Sequence, residues 1–511
     1  MPANVGAILV SIILYLVVMV AIGLAFSKKN KDTGDFYLGG RKLGPIVAAM
    51  SAEASDMSSW LLMGLPGVAY LAGCAEASWT AIGLAVGTYL NWLLVAKRLR
   101  TYSARLGAIT LPSFFSKRYH DDKNIISAVS ALIILIFFIP YTASGFSACG
   151  KLFNTLFGIE YHTAMIISAI VIILYTSTGG FLAASTTDLI QSIVMTTALV
   201  ILVIFGVSTA GGLGDVVENA KSLTGYLSLT QNHVPADNSS TPFGFLSIVS
   251  TMAWGLGYFG MPHILLRFMA IEDHKKIAVS RRIGSIWVVI SMGIAIFIGL
   301  IGNALTADGI IPVLEDSAAS ETVVIKIAEF LAGHSILAAI LAGLIFAGIL
   351  ACTMSTSDSQ LLAASSSMSE DILQGFFKKD LDQKQQMITA RVVLAVIAIL
   401  SVFIAWDPNS SIFRVVSFAW AGFGATFGPL MLISLFWKRA NKQGAIAGLV
   451  AGGLIVFIWK FLIAPIGGVF GIYELLPAFI VSTVFTVVVS LCTAPPEDEI
   501  IKEFEMQSKE G

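Results

Sequence analysis

Apolar runs of roughly 20 residues recur along the whole of this chain, and each is long enough to cross the hydrocarbon core of a bilayer as an α-helix. Hydrophobic residues make up 56% of the 511 positions and charged residues only 12%. A soluble core of this size could not hide so much apolar surface. The sequence therefore predicts an all-α integral membrane protein that is embedded in a lipid bilayer.

We predict about thirteen transmembrane helices, joined by polar segments too short to form a soluble domain. They are expected at residues 5–26, 45–73, 77–96, 124–152, 162–183, 188–211, 243–268, 284–306, 333–367, 388–406, 411–437, 443–464 and 471–493.

The lysines and arginines indicate the cytoplasmic face of this topology. With thirteen alternating spans, six segments fall on the same side of the membrane, and together they hold most of the lysines and arginines. These segments are 27–44, 97–123, 267–283, 369–391, 438–442 and 495–511. Cytoplasmic loops of membrane proteins carry an excess of basic residues. We therefore expect a multi-pass protein of the plasma membrane with its N-terminus outside and its C-terminus in the cytoplasm.

Signals of catalysis are weak in this sequence. It contains no phosphate-binding glycine loop, which argues against an ATP-driven pump. The six histidines lack metal-ligand spacing, and the four cysteines are scattered rather than arranged as a disulfide framework. We predict that the chain is not an enzyme, and nothing in it indicates a nucleic-acid partner or an obligate protein partner.

The second predicted span is interrupted by polar residues. Residues 51–59 carry two carboxylates and four hydroxyls inside the apolar stretch 45–73. The centre of a bilayer tolerates such groups only where they face a cavity, a partner or an ion. Residues 51–59 are therefore the first candidate for a functional site.

A second interrupted span lies five helices later, at residues 254–262, where three glycines and a proline weaken the helix. Helices broken at corresponding places indicate a five-plus-five inverted-repeat transporter with its substrate at the midplane. Close helix packing alone is the other interpretation. The predicted domain organisation is an N-terminal helix and loop (1–44), a first repeat (45–211), an external loop (212–242), a second repeat (243–437), two C-terminal helices (438–494) and a tail (495–511).

An unwound helix exposes carbonyl oxygens, which suit a small hard cation. The carbonyls of Ala54 and Met57 lie at the first interruption, and the hydroxyls of Ser355 and Thr356 could complete a cage around the ion. Hydroxyls in membrane helices also bond to their own backbone carbonyls, and this alternative remains open.

Several collinear motifs strengthen the transporter interpretation, within a match that runs from about residue 10 to residue 490. They are Tyr-Leu-Gly-Gly-Arg at 37–41, Ala-Ser-Asp-Met-Ser at 54–58, Met-Gly-Leu-Pro-Gly at 63–67, Gly-Leu-Gly-Tyr-Phe-Gly at 255–260, Arg-Phe-Met-Ala at 267–270 and Trp-Ala-Gly-Phe-Gly at 420–424. In these motifs the chain resembles the sodium:solute symporter family, and within it the proline branch.

This resemblance implies a leucine-transporter-type fold with one extra helix before and two after a ten-helix core. It also implies sodium-coupled import of L-proline by alternating access, with sodium as the co-transported ion. By position, the family's sodium site falls on Ala54, Met57, Cys352, Ser355 and Thr356. The substrate site falls on Ser58, Ser59, Tyr141, Trp254, Tyr258 and Pro262, and the coupling positions on Asp56, Arg41 and Asp188.

Three residues depart from the family's pattern. Glu53 and Ser59 stand where the pattern has glycine, and Asp358 stands where it has serine. Extra acids near a cation site are costly unless they are neutralised. One interpretation is a second cation site or a protonation step, with Asp358 and Asp188 facing one another. The other is that Glu53 points into a hydrated vestibule or pairs with a base.

These departures leave alternatives to sodium-coupled proline import. A proton could act in place of sodium or beside it. Another branch of the family could carry a different small carboxylate, such as pantothenate, a monocarboxylate or a sialic acid. Outside transport, a membrane sensor or channel could use the same fold.

Overall fold

The computed structural model describes residues 4–27, 33–379 and 381–510, and these residues are mostly helical. The apolar helices are α1 (Val5–Ser27), α2 (Pro45–Asp56), α3 (Leu65–Ala72), α4 (Cys74–Leu90), α5 (Ile125–Phe157), α6 (Tyr161–Thr209), α7 (Phe245–Met252), α8 (Pro262–Ala270), α9 (Ile277–Ala307), α10 (Val323–Ala332), α11 (Ile336–Ser366), α12 (Gln383–Ile404), α13 (Ile412–Phe436), α14 (Lys442–Ile458) and α15 (Leu475–Cys492). A polar C-terminal helix, α16 (Asp498–Glu510), follows them.

Short elements connect these helices. The short α-helices are Thr33–Leu38, Ala96–Arg105, Leu111–Arg118, Leu213–Ser222 and Ser317–Ser320, and strands β1 (Gln231–Val234) and β2 (Ser239–Pro242) form an antiparallel hairpin. We call the side of the molecule that carries this hairpin the hairpin face, and the opposite side, where the predicted basic segments lie, the basic face.

The membrane assignment is confirmed. Within the described residues, ten helices are long and apolar enough to span a bilayer, and three shorter apolar helices lie at Trp60–Ala72, Tyr161–Leu174 and Phe245–Gly260. Each of these pieces overlaps one of the predicted spans. The total of thirteen stays a prediction, because three of the segments are too short to cross a bilayer by themselves.

The predicted boundary between spans 162–183 and 188–211 lies a few residues too late. Tyr161–Thr209 is continuous as a helix except for a kink at Gly180, where φ is 68° and ψ is −175°. Residues with a side chain rarely adopt this backbone conformation. The apolar pattern runs through the kink, so hydrophobicity alone could not place it.

The first interrupted span is broken at residues 57 and 58. Met57 has φ −74° and ψ 65°, an inverse γ-turn in which the Ser58 amide donates to the Asp56 carbonyl at 2.7 Å. A wide π-helical turn, Trp60–Gly64, then leads into α3. The prediction that the polar stretch interrupts the helix is confirmed.

The second interrupted span changes from α7 to the 3₁₀ segment Ala253–Gly260 and resumes as α8 at Pro262. Its glycines permit backbone-to-backbone packing. A Cβ on Gly257 would lie 1.9 Å from Trp420 Nε1, and a Cβ on Gly255 would lie 2.1 Å from the Gly83 carbonyl oxygen. The segment is therefore held between α4 and α13.

Replacing Gly87 of α4 with alanine is expected to lower the stability of the fold. The added Cβ would lie 2.3 Å from the Gly255 carbonyl oxygen, and backbone cannot move aside as a flexible side chain can. Overpacking of this kind costs about 1–3 kcal/mol. The measurement is the apparent melting temperature of the detergent-purified protein.

Gly293 in α9 provides the matched control, since a Cβ there would meet no atom within 4 Å. Gly293→Ala should leave the melting temperature unchanged or raise it. Equal melting temperatures for the two variants would contradict the close contact between α4 and the second break.

Candidate functional site

The first break lies against α11, where a serine hydroxyl meets two backbone carbonyls. Ser355 Oγ lies 2.8 Å from the Ala54 carbonyl oxygen and 3.2 Å from the Cys352 carbonyl oxygen. The neighbouring Thr356 Oγ1 is buried and has no hydrogen-bond partner in the described chain. Met57 follows Ala54 on the same broken turn. The structure thus brings Ala54, Cys352 and Ser355 into contact.

These groups fit a small cation. Ser355 carries one hydroxyl proton and therefore cannot donate fully to both carbonyls at once. A cation among the three oxygens would interact favourably with all of them and with the unsatisfied Thr356 hydroxyl. All the donors are oxygens, as hard cations prefer.

Asp56 ends α2 next to this group. Its Oδ2 accepts a hydrogen bond from the Tyr258 hydroxyl, whereas its Oδ1 has no hydrogen-bond partner among the described residues. Its carbonyl accepts from the Tyr141 hydroxyl at 3.2 Å and from Trp60 Nε1 at 3.3 Å. In an unbroken helix that carbonyl would instead accept from the Trp60 amide. The Trp60 amide is 3.4 Å from Ser58 Oγ, so side chains replace part of the helical ladder.

Aromatic rings separate this region from the hairpin face. We call Trp60, Trp254, Phe413, Trp420 and Tyr473 the aromatic layer. The Trp254 ring centroid lies 5.3 Å from that of Phe413 and 5.4 Å from that of Tyr473. Trp420 Nε1 fixes the second break by donating to the Trp254 carbonyl at 2.7 Å.

The predicted substrate residues lie on both broken helices and on α5. They are all buried in this conformation: Ser58, Ser59, Tyr141, Trp254, Tyr258 and Pro262. Tyr258 packs edge-on against Trp420 with ring centroids 5.1 Å apart. The site is therefore closed, and a cavity of about 390 Å³ on the hairpin face reaches it only as far as Trp254 and Phe413.

Hydroxyl and carboxyl groups surround a buried arginine close to the oxygens of the candidate cation site. We call Ser51, Asp188, Arg267, Asp358 and Ser359 the arginine cluster. Arg267 Nη2 lies 3.2 Å from Asp188 Oδ2 and also donates to Ser359 Oγ, while Arg267 Nε donates to Ser51 Oγ at 3.0 Å. Ser359 Oγ is 3.2 Å from Asp358 Oδ1. Ser51 is one helical turn before Ala54, so the cluster is adjacent to the candidate cation site.

The arginine cluster contains two carboxyl groups and one guanidinium. Asp188 and Asp358 are close enough for their charges to interact, and Arg267 is the guanidinium that faces both. Asp188 Oδ1 and Asp358 Oδ2 lack hydrogen-bond partners in the part of the chain that the structure describes. The prediction that the two aspartates approach one another agrees with this arrangement. The sequence interpretation counted Arg267 in the basic segment 267–283 and gave it no part in the site, whereas the structure buries it against Asp188. Arg267 also lies inside the predicted span 243–268, where a basic residue is a signal in itself.

Within the described residues, Glu53 accepts one hydrogen bond from a side chain, the indole of Trp92. Trp92 Nε1 donates to its Oε1 at 3.0 Å, and Oε2 has no hydrogen-bond partner among the described residues. The side chain is only 1% exposed, so the interpretation that it lies in a hydrated vestibule is wrong for this conformation. Gly284 makes room for it, because a Cβ there would be 2.7 Å from Oε1.

Arg41 lies on the basic face, where it binds backbone carbonyls and the Ser103 hydroxyl rather than the groups described above. Its guanidinium donates to the carbonyls of Met269, Ser103 and Ala108 at 2.7, 3.0 and 2.6 Å. Burial and the nearby Arg100 lower the pKa of Arg41 to about 10, so it stays charged at neutral pH. The structure does not bring Arg41 together with the other predicted coupling residues, and its part in coupling stays a prediction.

The sequence interpretation also missed a buried ion pair near the hairpin face. Lys151 Nζ lies 2.7 Å from Glu321 Oε2, and Glu321 Oε1 accepts from the Phe413 amide at 3.0 Å. The pair joins α5 to the start of α13. It therefore fixes the position of Phe413, which belongs to the aromatic layer.

Comparisons with known proteins agree with this geometry. A profile of the sodium:solute symporter family matches residues 36–452. The sodium/proline symporter of Staphylococcus aureus is 40% identical over 494 residues, which cover 95% of this chain and 93% of that protein. The sodium/proline symporter of Escherichia coli (strain K12) is 41% identical over 499 residues, with coverages of 97% and 95%.

Two solved structures share the fold. A sodium-coupled sialic acid symporter in a substrate-bound outward-open state has a TM-score of 0.77 at 19% identity, covering 96% of this chain and 99% of that one. Mhp1, a nucleobase-cation-symport-1 family transporter, in a closed conformation has a TM-score of 0.55 at 15% identity, with coverages of 92% and 98%. At these identities the likeness shows the fold alone, and it confirms the predicted leucine-transporter-type architecture.

Proposed function

Because the chain belongs to the sodium:solute symporter family, we propose that it is a secondary active transporter that imports L-proline together with sodium. The observation that carries this proposal is the contact between the first broken helix and Ser355, next to the buried Tyr141, Tyr258 and Asp56. The curated relatives that bear the name sodium/proline symporter are similar to this chain over nearly its full length.

We assign sodium to the carbonyl oxygens of Ala54, Met57 and Cys352 and to the hydroxyls of Ser355 and Thr356. Three observations support this assignment: the converging oxygens, the unsatisfied Thr356 hydroxyl and the turn at Met57 that interrupts the helical hydrogen bonds. The two side chains in this set, Ser355 and Thr356, carry neutral hydroxyls. Sodium would therefore bring a positive charge into the site, beside Asp56, which precedes Met57 in the chain.

L-Proline is assigned to the space between the two breaks. Trp254 and Tyr258 offer aromatic faces for its compact ring, while Ser58, Ser59 and Tyr141 offer hydroxyls for its carboxylate. Pro262 begins α8 and has no amide proton to donate, so it ends the backbone hydrogen bonding of the second break. The set of residues is the one that the family resemblance implies, and their chemistry and their positions on the two broken helices and α5 support these roles.

Transport requires the closed site to open to each face in turn. We place the hairpin face outside and the basic face inside, with the N-terminus outside, because cytoplasmic loops are enriched in lysine and arginine. Sodium and proline must each favour binding of the other, since uncoupled binding would let sodium leak. One net positive charge moving inward with a zwitterion gains roughly 2.3 kcal/mol per 100 mV.

The coupling residues are proposed to be Asp56, the pair Asp188 and Asp358, and Glu53. Asp56 joins the two breaks directly through Tyr258. In the described chain, the arginine cluster has one guanidinium facing two carboxyl groups. Glu53 accepts a hydrogen bond from an indole at one carboxyl oxygen, and its other oxygen has no partner there. A second cation or a proton would relieve both imbalances, so sodium is proposed as the driving ion with a proton as a candidate beside it.

Uptake of radiolabelled L-proline into proteoliposomes tests the proposal. An inward sodium gradient should drive accumulation of proline, and an imposed proton gradient alone should drive much less. No uptake with either gradient would overturn the proline assignment and favour a sensor or channel. Uptake driven only by protons would overturn the sodium assignment.

Glu53→Gln separates the role of a proton from that of sodium. Glutamine has the size of a protonated glutamate and keeps the carbonyl that accepts from Trp92. Sodium-driven uptake should therefore remain of the wild-type order, while any stimulation by an added inward proton gradient should disappear. Equal stimulation of the variant and the wild type would show that Glu53 is not the protonated group.

The hydroxyl of Ser59 favours a different carboxylate as substrate. This hydroxyl is buried and has no hydrogen-bond partner in the described chain, where the family pattern has glycine. A substrate with an additional polar group could bind to it. Competition of unlabelled pantothenate, pyruvate and sialic acid against labelled proline decides this, and stronger competition by one of them than by proline would identify it as the substrate.

A further inference from the structure

We propose that α16 is a releasable strap on the basic face. It holds the inner end of α13 against residues 96–121, and it must leave those residues before the buried site opens to the cytoplasm. This inference rests on the alternating access of the proposed function and adds to it a device that controls the inner opening. The sequence interpretation treated residues 495–511 as a tail, whereas the structure folds Asp498–Glu510 into a helix that packs against the helix Ala96–Arg105.

Residues 96–121, which we call the inner segment, contact the inner ends of three helices. Arg41, which precedes α2, binds two backbone carbonyls of this segment and also the Met269 carbonyl at the end of α8. Thr110 Oγ1 donates to Asp371 Oδ1 at 2.8 Å, just beyond the end of α11. The inner segment therefore joins the inner ends of α2, α8 and α11, so an opening toward the basic face must change its contacts.

Two arginines bind the C-terminal end of α13 to the inner segment. Arg98 Nη1 donates to the Leu435 carbonyl, and Arg118 Nε donates to the Ser434 carbonyl, both at 3.1 Å. The last carbonyls of a helix have no partner within that helix, and cations are favourable beside them. The hydroxyls of Tyr119 and Ser434 are also 2.7 Å apart. This contact closes the basic face between α13 and the inner segment.

α16 lies across this contact and buries one face against it. Three residues at helical spacing are buried on that face: Ile500, Phe504 and Gln507. The Phe504 ring centroid lies 5.0 Å from Arg118 Cζ. Gln507 Nε2 donates to the Arg98 carbonyl at 3.1 Å and to Thr101 Oγ1 at 2.5 Å. α16 thus covers both arginines that bind the end of α13.

One side of α16 is anchored to the turn between α13 and α14. Asn441 Nδ2 donates to Thr493 Oγ1 and to the Ala494 carbonyl, both at 2.7 Å, so the linker that leads into α16 is bound to that turn. Lys438 Nζ of the same turn lies 2.9 Å from Glu505 Oε1. When α13 and the inner segment part, α16 is therefore expected to stay with α13 and to release the inner segment.

The contacts between α16 and the inner segment are weak enough to be reversible. Arg118 is fully buried, yet its Nη1 and Nη2 atoms lack hydrogen-bond partners in the part of the chain that the structure describes. Three aromatic rings surround the guanidinium instead, those of Tyr102, Tyr119 and Phe504. Water can reach these N–H groups once α16 leaves, which offsets the lost cation–π contact. His120 pairs with Glu503 at 3.0 Å, but both side chains are partly exposed, and such pairs contribute little to stability.

The test fastens α16 to the inner segment. The exposed Cys492 is first replaced by serine, and His120→Cys with Glu503→Cys then places two thiols where the partly exposed pair was. A short linker with two methanethiosulfonate groups joins them before reconstitution into proteoliposomes. We expect the linked protein to take up proline at a rate at least about tenfold below that of the unlinked protein, because it cannot populate the inward-open state. A reductant that cleaves the linker should restore uptake.

Lys438→Cys with Glu505→Cys is the matched control, because the same linker then fastens α16 to the side that is already anchored. Uptake by this variant should be the same before and after linking. Unchanged uptake by the linked His120/Glu503 variant, or an equal loss in both linked variants, would overturn the strap and leave the proposed function intact. Absence of proline uptake by the wild type would instead overturn the proposed function.

Hydrogen exchange measured by mass spectrometry tests the strap without any transport. Linking the His120/Glu503 variant should slow exchange in Pro262–Ala270, and linking the control variant should not. Equal exchange before and after linking would contradict the strap.

A variant that weakens the strap gives the opposite shift. Phe504→Ala with Gln507→Ala should raise the external sodium concentration for half-maximal uptake about threefold, because a larger share of the empty transporter faces inward. A helix with a purely structural role would lower the melting temperature and the maximal rate without this change in sodium dependence, and that result would overturn the strap.

Discussion

Removing both hydroxyls of the candidate sodium site, as Ser355→Ala with Thr356→Val, is expected to raise the sodium concentration needed for half-maximal proline uptake by about 100-fold. Each hydroxyl contributes an interaction with a charged group, worth about 1.5–3 kcal/mol, and a loss of about 3 kcal/mol corresponds to this factor. The measurement is the initial rate of proline uptake as a function of external sodium. The maximal rate should fall as well, because the cation organises the broken helix.

Two matched variants make this result specific. Thr356→Ser keeps the hydroxyl and should retain near wild-type sodium dependence. Ser366→Ala removes a hydroxyl from the same helix and should have little effect. Among the described residues that hydroxyl donates only within its own helix, to the Ala363 carbonyl at 2.9 Å. Sodium dependence unchanged in the double variant, or lost equally in Ser366→Ala, would show that Ser355 and Thr356 do not bind the coupled ion.

Replacing Arg267 with glutamine is expected to destabilise the whole protein by about 3–5 kcal/mol, because it leaves Asp188 and Asp358 without the cation between them. The guanidinium is 1% exposed and also contacts the ring of Phe181 at 5.0 Å, so water cannot replace it. We expect a lower apparent melting temperature in detergent and a smaller amount of folded protein in the membrane.

A second substitution distinguishes charge from packing. In Arg267→Gln with Asp188→Asn, one of the two uncompensated carboxylates is neutral, so the melting temperature should recover by more than half of the loss. Asp188→Asn alone should be much less harmful than Arg267→Gln. A double variant no more stable than Arg267→Gln would contradict the electrostatic account and indicate that the arginine acts through its packing.

The membrane fold and the two broken helices could be predicted from the sequence because the bilayer constrains both. A polar run such as 51–59 cannot lie in hydrocarbon, and the three glycines and the proline at 255–262 weaken a regular helix. The structure confirms both breaks and explains the glycines at 255 and 257 by the backbone and the indole that approach them. The kink at Gly180 could not be placed, since the apolar pattern continues through it.

The candidate site was predictable only where its residues lie in one short segment or match a motif. Asp56 and Tyr258 are 202 positions apart, and Arg267 reaches Asp188 across 79 positions, so their contacts depend on how four helices pack. Trp92 as the partner of Glu53 is a contact of the same kind. Hydropathy indicates which residues avoid lipid, but it does not indicate which of them contact one another.

The most direct test of the central claim is the mutual effect of sodium and proline on binding to the purified protein. If sodium binds between the first break and Ser355 and drives proline transport, sodium must lower the Kd for proline, and proline must lower the Kd for sodium by the same factor. We predict a factor of at least about 10, within the usual range of coupling free energies, and its loss in Ser355→Ala with Thr356→Val. A proline Kd that is independent of sodium in the wild-type protein would contradict the account.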